Sequence, residues 1–304
     1  MKQNGKINVV MMPDFRVGNP YQKLLADAIE LNDAKVDFYG KYRRVLPVWR
    51  SLKSYPDKID VLHLHWLSGY LRGKTRIAKV FYSLKFFLDV FFVRLSGTRV
   101  VWTIHNVVSH DGKFEGIELW GQRLFSRLAD YLIVHSSAAL TEVSDCYKID
   151  CKKMVVIPIG DYRSIYQRPI DSVKARELLG LPKRGKIYLH FGLLRPYKGI
   201  EEMLKVWKDN QSLLREHTLV IAGKTLDEAY GQVLAAETSQ HENIIFQNDF
   251  VANEKVHLYF SAADVVVLPF RKVLTSSTVI LAMSYGKPVI APKLGGIAES
   301  LDKA

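Results

Sequence analysis

Two basic side chains stand three positions apart in FGLLRPYKG (191–199), Arg195 and Lys198. Arginine offers a planar two-pronged donor and lysine a compact charge, a combination suited to a diphosphate. A turn made by Gly192 and Pro196 would also tolerate them as ordinary charged loop residues, so the pair alone leaves both readings open. Further on, RKVLTSSTVILAMSYG (271–286) places Thr275, Ser276 and Ser277 at the head of an apolar helical stretch, behind Arg271 and Lys272. A hydroxyl-rich helix start presents free N–H groups and a positive dipole end to an anion. A plain Ser/Thr cap is the alternative. Each segment follows a β-branched run, and two such loops in one parallel sheet fall on the same edge.

The first half of the chain carries a different set. His105 and Asn106 follow RVVWTI (99–104) directly. A histidine there can bond a sugar hydroxyl, move a proton or serve as a satisfied structural group. His63 and His65 alternate along VLHLHW (61–66), which puts both on one strand face next to Trp66. A metal pair is one reading, without an evident third ligand. Trp66 either stacks on a sugar or fills the core. Gly18, Asn19 and Pro20 form the turn between the first strand and its helix. The chain contains no G-x-x-x-x-G-K-[ST] loop, G-x-G-x-x-G fingerprint or nucleophile elbow.

Positioning these groups requires strand ends, and the chain supplies them in two series. INVVMM (7–12), VLHLHW (61–66), RVVWTI (99–104), YLIVHS (131–136) and MVVIPI (154–159) form the first. KIYLHF (186–191), HTLVIA (217–222), NIIFQN (243–248), DVVVLP (264–269) and KPVIAP (287–292) form the second. Continuous apolar strands alternating with helical stretches predict parallel sheets covered on both faces. GDYRSIYQRPIDSVKARELLGLPKRG (160–185), polar and broken by Gly and Pro, reads as the linker, with a short helix near 172–180. The predicted domains are 1–165 and 166–304.

One segment departs from this alternation. Residues 74–95, KTRIAKVFYSLKFFLDVFFVRL, mix aromatic and aliphatic residues with Lys74, Arg76, Lys79, Lys85 and Arg94. Lys79, Lys85 and Asp89 interrupt any membrane span of about 20 residues. Two readings remain: a helix buried against the sheet, or a basic amphipathic helix on an anionic bilayer.

The 304 residues carry 43 Lys+Arg against 31 Asp+Glu, a net charge of +12, which favours anionic partners without choosing among them. A hydrophobic share of 48% with 24% charged excludes a disordered chain and a collagen-like repeat. The two cysteines, Cys146 and Cys151, are too few for a disulfide scaffold or a four-ligand zinc site. They fit a reducing compartment. With no signal-peptide core at the N-terminus, a cytoplasmic location is expected, peripheral on the inner face of the plasma membrane if 74–95 meets lipid. The basic residues are spread along the chain and no nucleic-acid motif occurs, so no nucleic-acid partner is expected.

Taken in order, FGLLRPYKGIEEML (191–204), SAADVVVLPF (261–270) and AMSYGKPVIAPKLGGIAE (282–299) resemble the family 4 retaining glycosyltransferases. WTIHN (102–106), LADYLIVHS (128–136) and VVIPIGDY (155–162) support the match. The resemblance implies the α/β GT-B fold of two facing Rossmann-like domains with parallel sheets, the C-terminal part cut short after Ala304. It implies a sugar moved from a UDP- or GDP-sugar to a glycan or lipid-linked acceptor, in cell-surface polysaccharide synthesis, with the nucleotide sugar as co-substrate and no further cofactor. By position, Arg195 and Lys198 stabilise the leaving diphosphate without a metal. His105 reaches the transferred sugar. Gly18, Thr275, Ser276 and Ser277 lie near the donor phosphates. His65, Trp66 and Asn106 are assigned to the acceptor side.

Two departures qualify the resemblance. The family usually carries two glutamates before AM-x-x-G, and Val273 and Leu281 stand at those positions. The usual arginine position falls on Leu193, two residues before Arg195. The missing glutamates and the short C-terminus keep a second reading alongside the enzyme: a non-catalytic partner subunit that binds a nucleotide sugar or glycan.

Overall fold

The computed structural model describes residues 6–17, 19–39, 45–108 and 114–302. It divides into two compact units, Met1–Pro158 and Ile159–Ala304. The first unit holds strands β1 (Ile7–Met12), β2 (Ala34–Phe38), β3 (Val61–Leu64), β4 (Arg99–Thr103), β5 (Tyr131–Val134) and β6 (Met154–Val156). Its helices are α1 (Tyr21–Glu30), α2 (Pro47–Leu52), α3 (Arg76–Leu95), α4 (Glu115–Leu128) and α5 (Ser137–Tyr147). The strands form one parallel sheet in the order β2-β1-β3-β4-β5-β6.

The second unit opens with α6 (Ser172–Leu178), followed by β7 (Ile187–Phe191), α7 (Ile200–Asp209), α8 (Gln211–Leu214), β8 (Thr218–Ala222), α9 (Glu228–Thr238) and β9 (Ile244–Gln247). It continues with α10 (Asn253–Ala262), β10 (Val265–Val267), α11 (Ser277–Ser284), β11 (Val289–Ile290) and α12 (Ile297–Leu301). This sheet is also parallel, in the order β11-β10-β7-β8-β9. The doubly wound reading of both halves therefore holds. All five residues of β8 are buried. α7 lays Ile200, Met203, Leu204 and Trp207 against that strand, the i, i+3, i+4, i+7 stripe of a core-facing helix.

Two expectations change. β2 was absent from the strand series because it is an edge strand: Lys35 and Asp37 point outward and pair at 3.3 Å, while Ala34 and Val36 point in. That alternation lacks the continuous apolar run by which the other strands are read. Residues 160–185 are not a free linker. The Tyr162 and Ile170 amides donate to the Ser284 and Ser261 hydroxyls at 3.2 and 3.0 Å. Arg176 of α6 is buried, pairing with Asp264 at 2.7 Å and donating to the carbonyls of Ala262 and Gly185. The segment is thereby part of the second unit.

The 74–95 segment forms the 20-residue α3, capped by the Thr75 hydroxyl, which accepts from Ala78 N at 3.2 Å. Two of the three charges that interrupt its apolar run, Lys79 and Asp89, face inward. Lys79 is buried and pairs with Glu118 of α4 at 2.7 Å. Asp89 is buried and accepts from the Val48 and Trp49 amides at 2.8 Å each, capping α2. α2 begins at Pro47 and offers those N–H groups no cap of its own. No helix among the described residues is long and apolar enough to cross a membrane.

Candidate active site

Three adjacent strands of the first sheet each deliver a histidine at or beyond their C-terminal ends. His63 lies in β3 with His65 just after it, His105 follows β4, and His135 follows β5. The His63 and His65 rings stack at 4.4 Å, and His63 Nε2 meets the Thr103 hydroxyl at 2.8 Å. His65 Nδ1 meets His105 Nε2 at 3.2 Å. The His65 backbone is held on both sides, its N–H donating to Met12 O and its carbonyl accepting from the Trp102 indole at 2.9 Å. Trp66 stacks on His105 with centroids 4.2 Å apart and planes 12° apart. Tyr21, from the start of α1, sets its ring edge against His105 at 5.1 Å, and its hydroxyl lies 3.4 Å from His135 Nε2.

Burial holds all four imidazoles neutral near pH 7. It pushes His63 down to about 4 and His65 and His105 well below the ordinary range, each further disfavoured by a neighbouring imidazole. His135 is lowered by burial too, partly offset because it donates from Nδ1 to Ile157 O at 2.8 Å. His105 is the one partly open to solvent together with Trp66 and Asn106. His65 is 1% exposed. His65, assigned to the acceptor side, lies buried behind His105. His63 Nε2 and His65 Nδ1 turn to Thr103 and His105 rather than to one shared point. Among the described residues no group of three or more His, Cys, Asp or Glu side chains is arranged around a cation.

In the second unit, β7 and β10 are neighbours, so the two basic loops do share one sheet edge. After β7 the chain turns at Gly192 (φ +105°) and passes Arg195, whose backbone is extended. It then makes one tight turn over Pro196–Lys198 and enters α7 at Gly199 (φ +70°). This turn folds the Lys198 side chain inward, where the residue is 6% exposed. A Cβ on Gly192 would lie 3.2 Å from Lys198 Nζ and 3.5 Å from the Thr278 hydroxyl. Lysine and threonine thus converge on space that only a glycine leaves open. Burial pushes the Lys198 amine down to about 8, with Arg195 adding repulsion. Among the described residues no carboxylate forms an ion pair with it.

Ser276 caps α11, its hydroxyl accepting from Val279 N at 3.3 Å, while Thr275 and Ser277 flank it at the surface side. Arg271, expected beside an anion, instead clasps Glu202 with two hydrogen bonds of 2.6 and 2.8 Å and reaches Glu201 at 3.1 Å. Gly18 lies outside the described residues. Val273 and Leu281, at the glutamate positions of the resemblance, are 8% and 7% exposed and belong to the apolar core.

Several site residues escaped the sequence reading. His190 sits inside β7, bonds Val267 O through Nδ1 at 2.9 Å and is held down at about 3 by burial and by Lys198. Thr278 stands one residue past the hydroxyl cluster. A cavity of about 620 Å³ opens beside the Arg195 turn, lined by Lys224, Thr225, Gly231 and Asn248 among others. Leu194 ties the turn to that cavity through Lys224 O at 2.9 Å. His135 had a signal available, since YLIVHS ends in the same strand-then-histidine pattern as WTIH, whereas Tyr21 had none.

Comparison with known proteins bears on the family and the fold. Residues 19–160 match the family described as Glycosyltransferase Family 4, and residues 171–304 match Glycosyl transferases group 1. A GDP-mannose:glycolipid 4-beta-D-mannosyltransferase from Xanthomonas campestris pv. campestris is 30% identical over 274 residues, covering 90% of this chain and 70% of that protein. A D-inositol 3-phosphate glycosyltransferase from Acidothermus cellulolyticus is 27% identical over 267 residues, covering 81% and 55%. Among solved structures, sucrose-phosphate synthase from Thermosynechococcus elongatus superposes with a TM-score of 0.75 at 18% identity, over 97% of this chain and 83% of that one. The fold is thereby that of the GT-B enzymes, and the chain belongs to the family 4, group 1 glycosyltransferases.

Proposed function

We propose that the protein moves a hexose from a GDP- or UDP-sugar to a lipid-linked or polysaccharide acceptor, with Arg195 and Lys198 carrying the charge of the departing diphosphate. The observation that carries this reading is Lys198: a buried ammonium without a carboxylate partner among the described residues, facing space kept open by Gly192. A buried cation left unpaired is costly, and an anionic ligand removes that cost. As the donor bond breaks, negative charge grows on the β-phosphate, and preorganised cations lower that barrier. A metal is not needed for that role. The cavity beside Thr225 and Asn248 is sized for the nucleoside. The open edge of His105, backed by His65 and stacked on Trp66, receives the sugar as a neutral imidazole.

The mannosyltransferase relative makes GDP-mannose the first donor to try. Incubation with GDP-mannose or UDP-glucose and a bacterial lipid extract, read by mass spectrometry, should add one hexose to a lipid. Arg195→Ala and Lys198→Ala should abolish that product. NMR of the new anomeric centre tests the retention expected from the resemblance. The apolar Val273 and Leu281 favour the second reading, a non-catalytic binding subunit; donor binding without turnover for any acceptor would establish it instead.

A further inference from the structure

α3 is built inside out. Its buried side holds Lys79, Ser83 and Asp89 together with Phe86, Val90 and Val93. Its outer side exposes Ile77 (84%), Phe81 (62%), Leu84, Leu88, Phe91, Phe92 and Leu95 (67%). At 3.6 residues per turn these seven fall within an arc of about 100°, opposite the buried face, and run along about 27 Å of helix. Seven exposed apolar residues on one helix exceed the scattered surface hydrophobics of an ordinary domain. The flanks are basic: Lys74 and Lys85 border one edge of the stripe and Arg76 the other, where Arg94 is already paired with Asp130 at 3.0 Å. α3 has a single acidic residue, Asp89, and it is buried under α2.

We infer that this face lies in the headgroup layer of an anionic membrane, the helix axis parallel to the bilayer plane. Charge decides between lipid and a second copy of the chain. Isologous pairing through this stripe would set Lys74, Lys85 and Arg76 against one another, with no exposed acid on the helix to compensate. Anionic headgroups complement both flanks, and the apolar stripe enters the acyl boundary. The buried pairs Lys79–Glu118 and Asp89–α2 hold the helix against the unit, so that the stripe cannot roll inward. This inference concerns where the protein sits and does not depend on the transfer reaction.

Flotation of the full chain with vesicles tests it. The protein should float with phosphatidylcholine vesicles containing 30% phosphatidylglycerol, at least tenfold more than with phosphatidylcholine alone, and 0.5 M salt should weaken the association. The double variant Phe81→Ser, Leu88→Ser should lose at least tenfold of the binding, while Leu213→Ser, an equally exposed residue of the other unit, should not. A Phe81→Trp variant, which keeps the apolar face, should show blue-shifted fluorescence with the anionic vesicles. Equal flotation of the double variant and the parent would overturn the inference. So would a parent that ignores anionic vesicles while forming a dimer that the double variant abolishes, or that instead binds an acidic protein through this face.

Discussion

The Arg271 amide donates to the Tyr197 carbonyl across 2.9 Å, stitching the loop after β10 to the turn that carries Lys198. The stitch is close because Gly199 lacks a side chain: a Cβ there would collide with the carbonyl of Pro269. Gly199 also holds φ at +70°, a region that costs an alanine about 1 kcal/mol. Gly199→Ala is expected to push the two loops apart and destabilise the second unit by roughly 1–3 kcal/mol. Thermal unfolding should show the loss, and calorimetric titration with the donor should show weaker binding. Unchanged donor affinity in a folded variant would mean that the two loops do not act together.

Lys198→Met separates function from stability. The buried ammonium is disfavoured at neutral pH by its lowered pKa, equivalent to about 3 kcal/mol on the conversion of about 1.4 kcal/mol per pH unit. An apolar side chain of similar length removes that cost, so the variant should unfold at higher temperature by a few degrees. The same variant should lose at least about 100-fold in kcat, as expected for removing a preorganised charge from a transition state. A variant that is both less stable and fully active would place Lys198 in a structural role.

The pH profile follows from two opposite sets. Lys198 must be cationic to serve a diphosphate, and its pKa of about 8 predicts that kcat/KM falls as pH rises through that value. Lys198→Arg should remove this alkaline limb, because guanidinium stays charged. The histidines act on stability instead. His63 and His190 are depressed to about 4 and 3, so the unfolded chain binds protons that the folded chain refuses. Stability should decline as pH falls below about 6.5 and level off only below those folded values. In a histidine NMR titration of the folded protein, the His63, His65 and His105 resonances should not move near pH 6.5.

The sequence carried the strand-and-helix alternation because parallel strands are buried on both faces and read as apolar runs. β2 hid because Lys35 and Asp37 interrupt such a run at an edge. The basic loop of Arg195 and Lys198 was legible from its residue types. The fate of the second basic loop was not: Arg271 is held by Glu202 and Glu201, 69 and 70 residues away. Likewise His105 was visible as a strand-end histidine, whereas its dependence on His65, forty residues away, arises only from β3 and β4 lying side by side. Spacing along the chain reveals groups in one loop; pairings across strands require the sheet order.

The Lys79–Glu118 pair tests what holds α3 in its inverted orientation. Their side chains are 9% and 3% exposed, and Gln122 adds a 3.3 Å hydrogen bond to Glu118 Oε1. Removing one partner strands a buried charge, so Lys79→Met should cost about 3–5 kcal/mol. Glu118→Leu should cost a similar amount. The double variant restores an apolar contact between α3 and α4 and is expected to recover most of the loss, because a buried pair repays little beyond its own desolvation. Urea unfolding of the four proteins gives the coupling directly. Additive losses in the double variant would show that the two helices are held by their apolar contacts alone, such as Phe86 against Phe125 with ring centroids 5.1 Å apart.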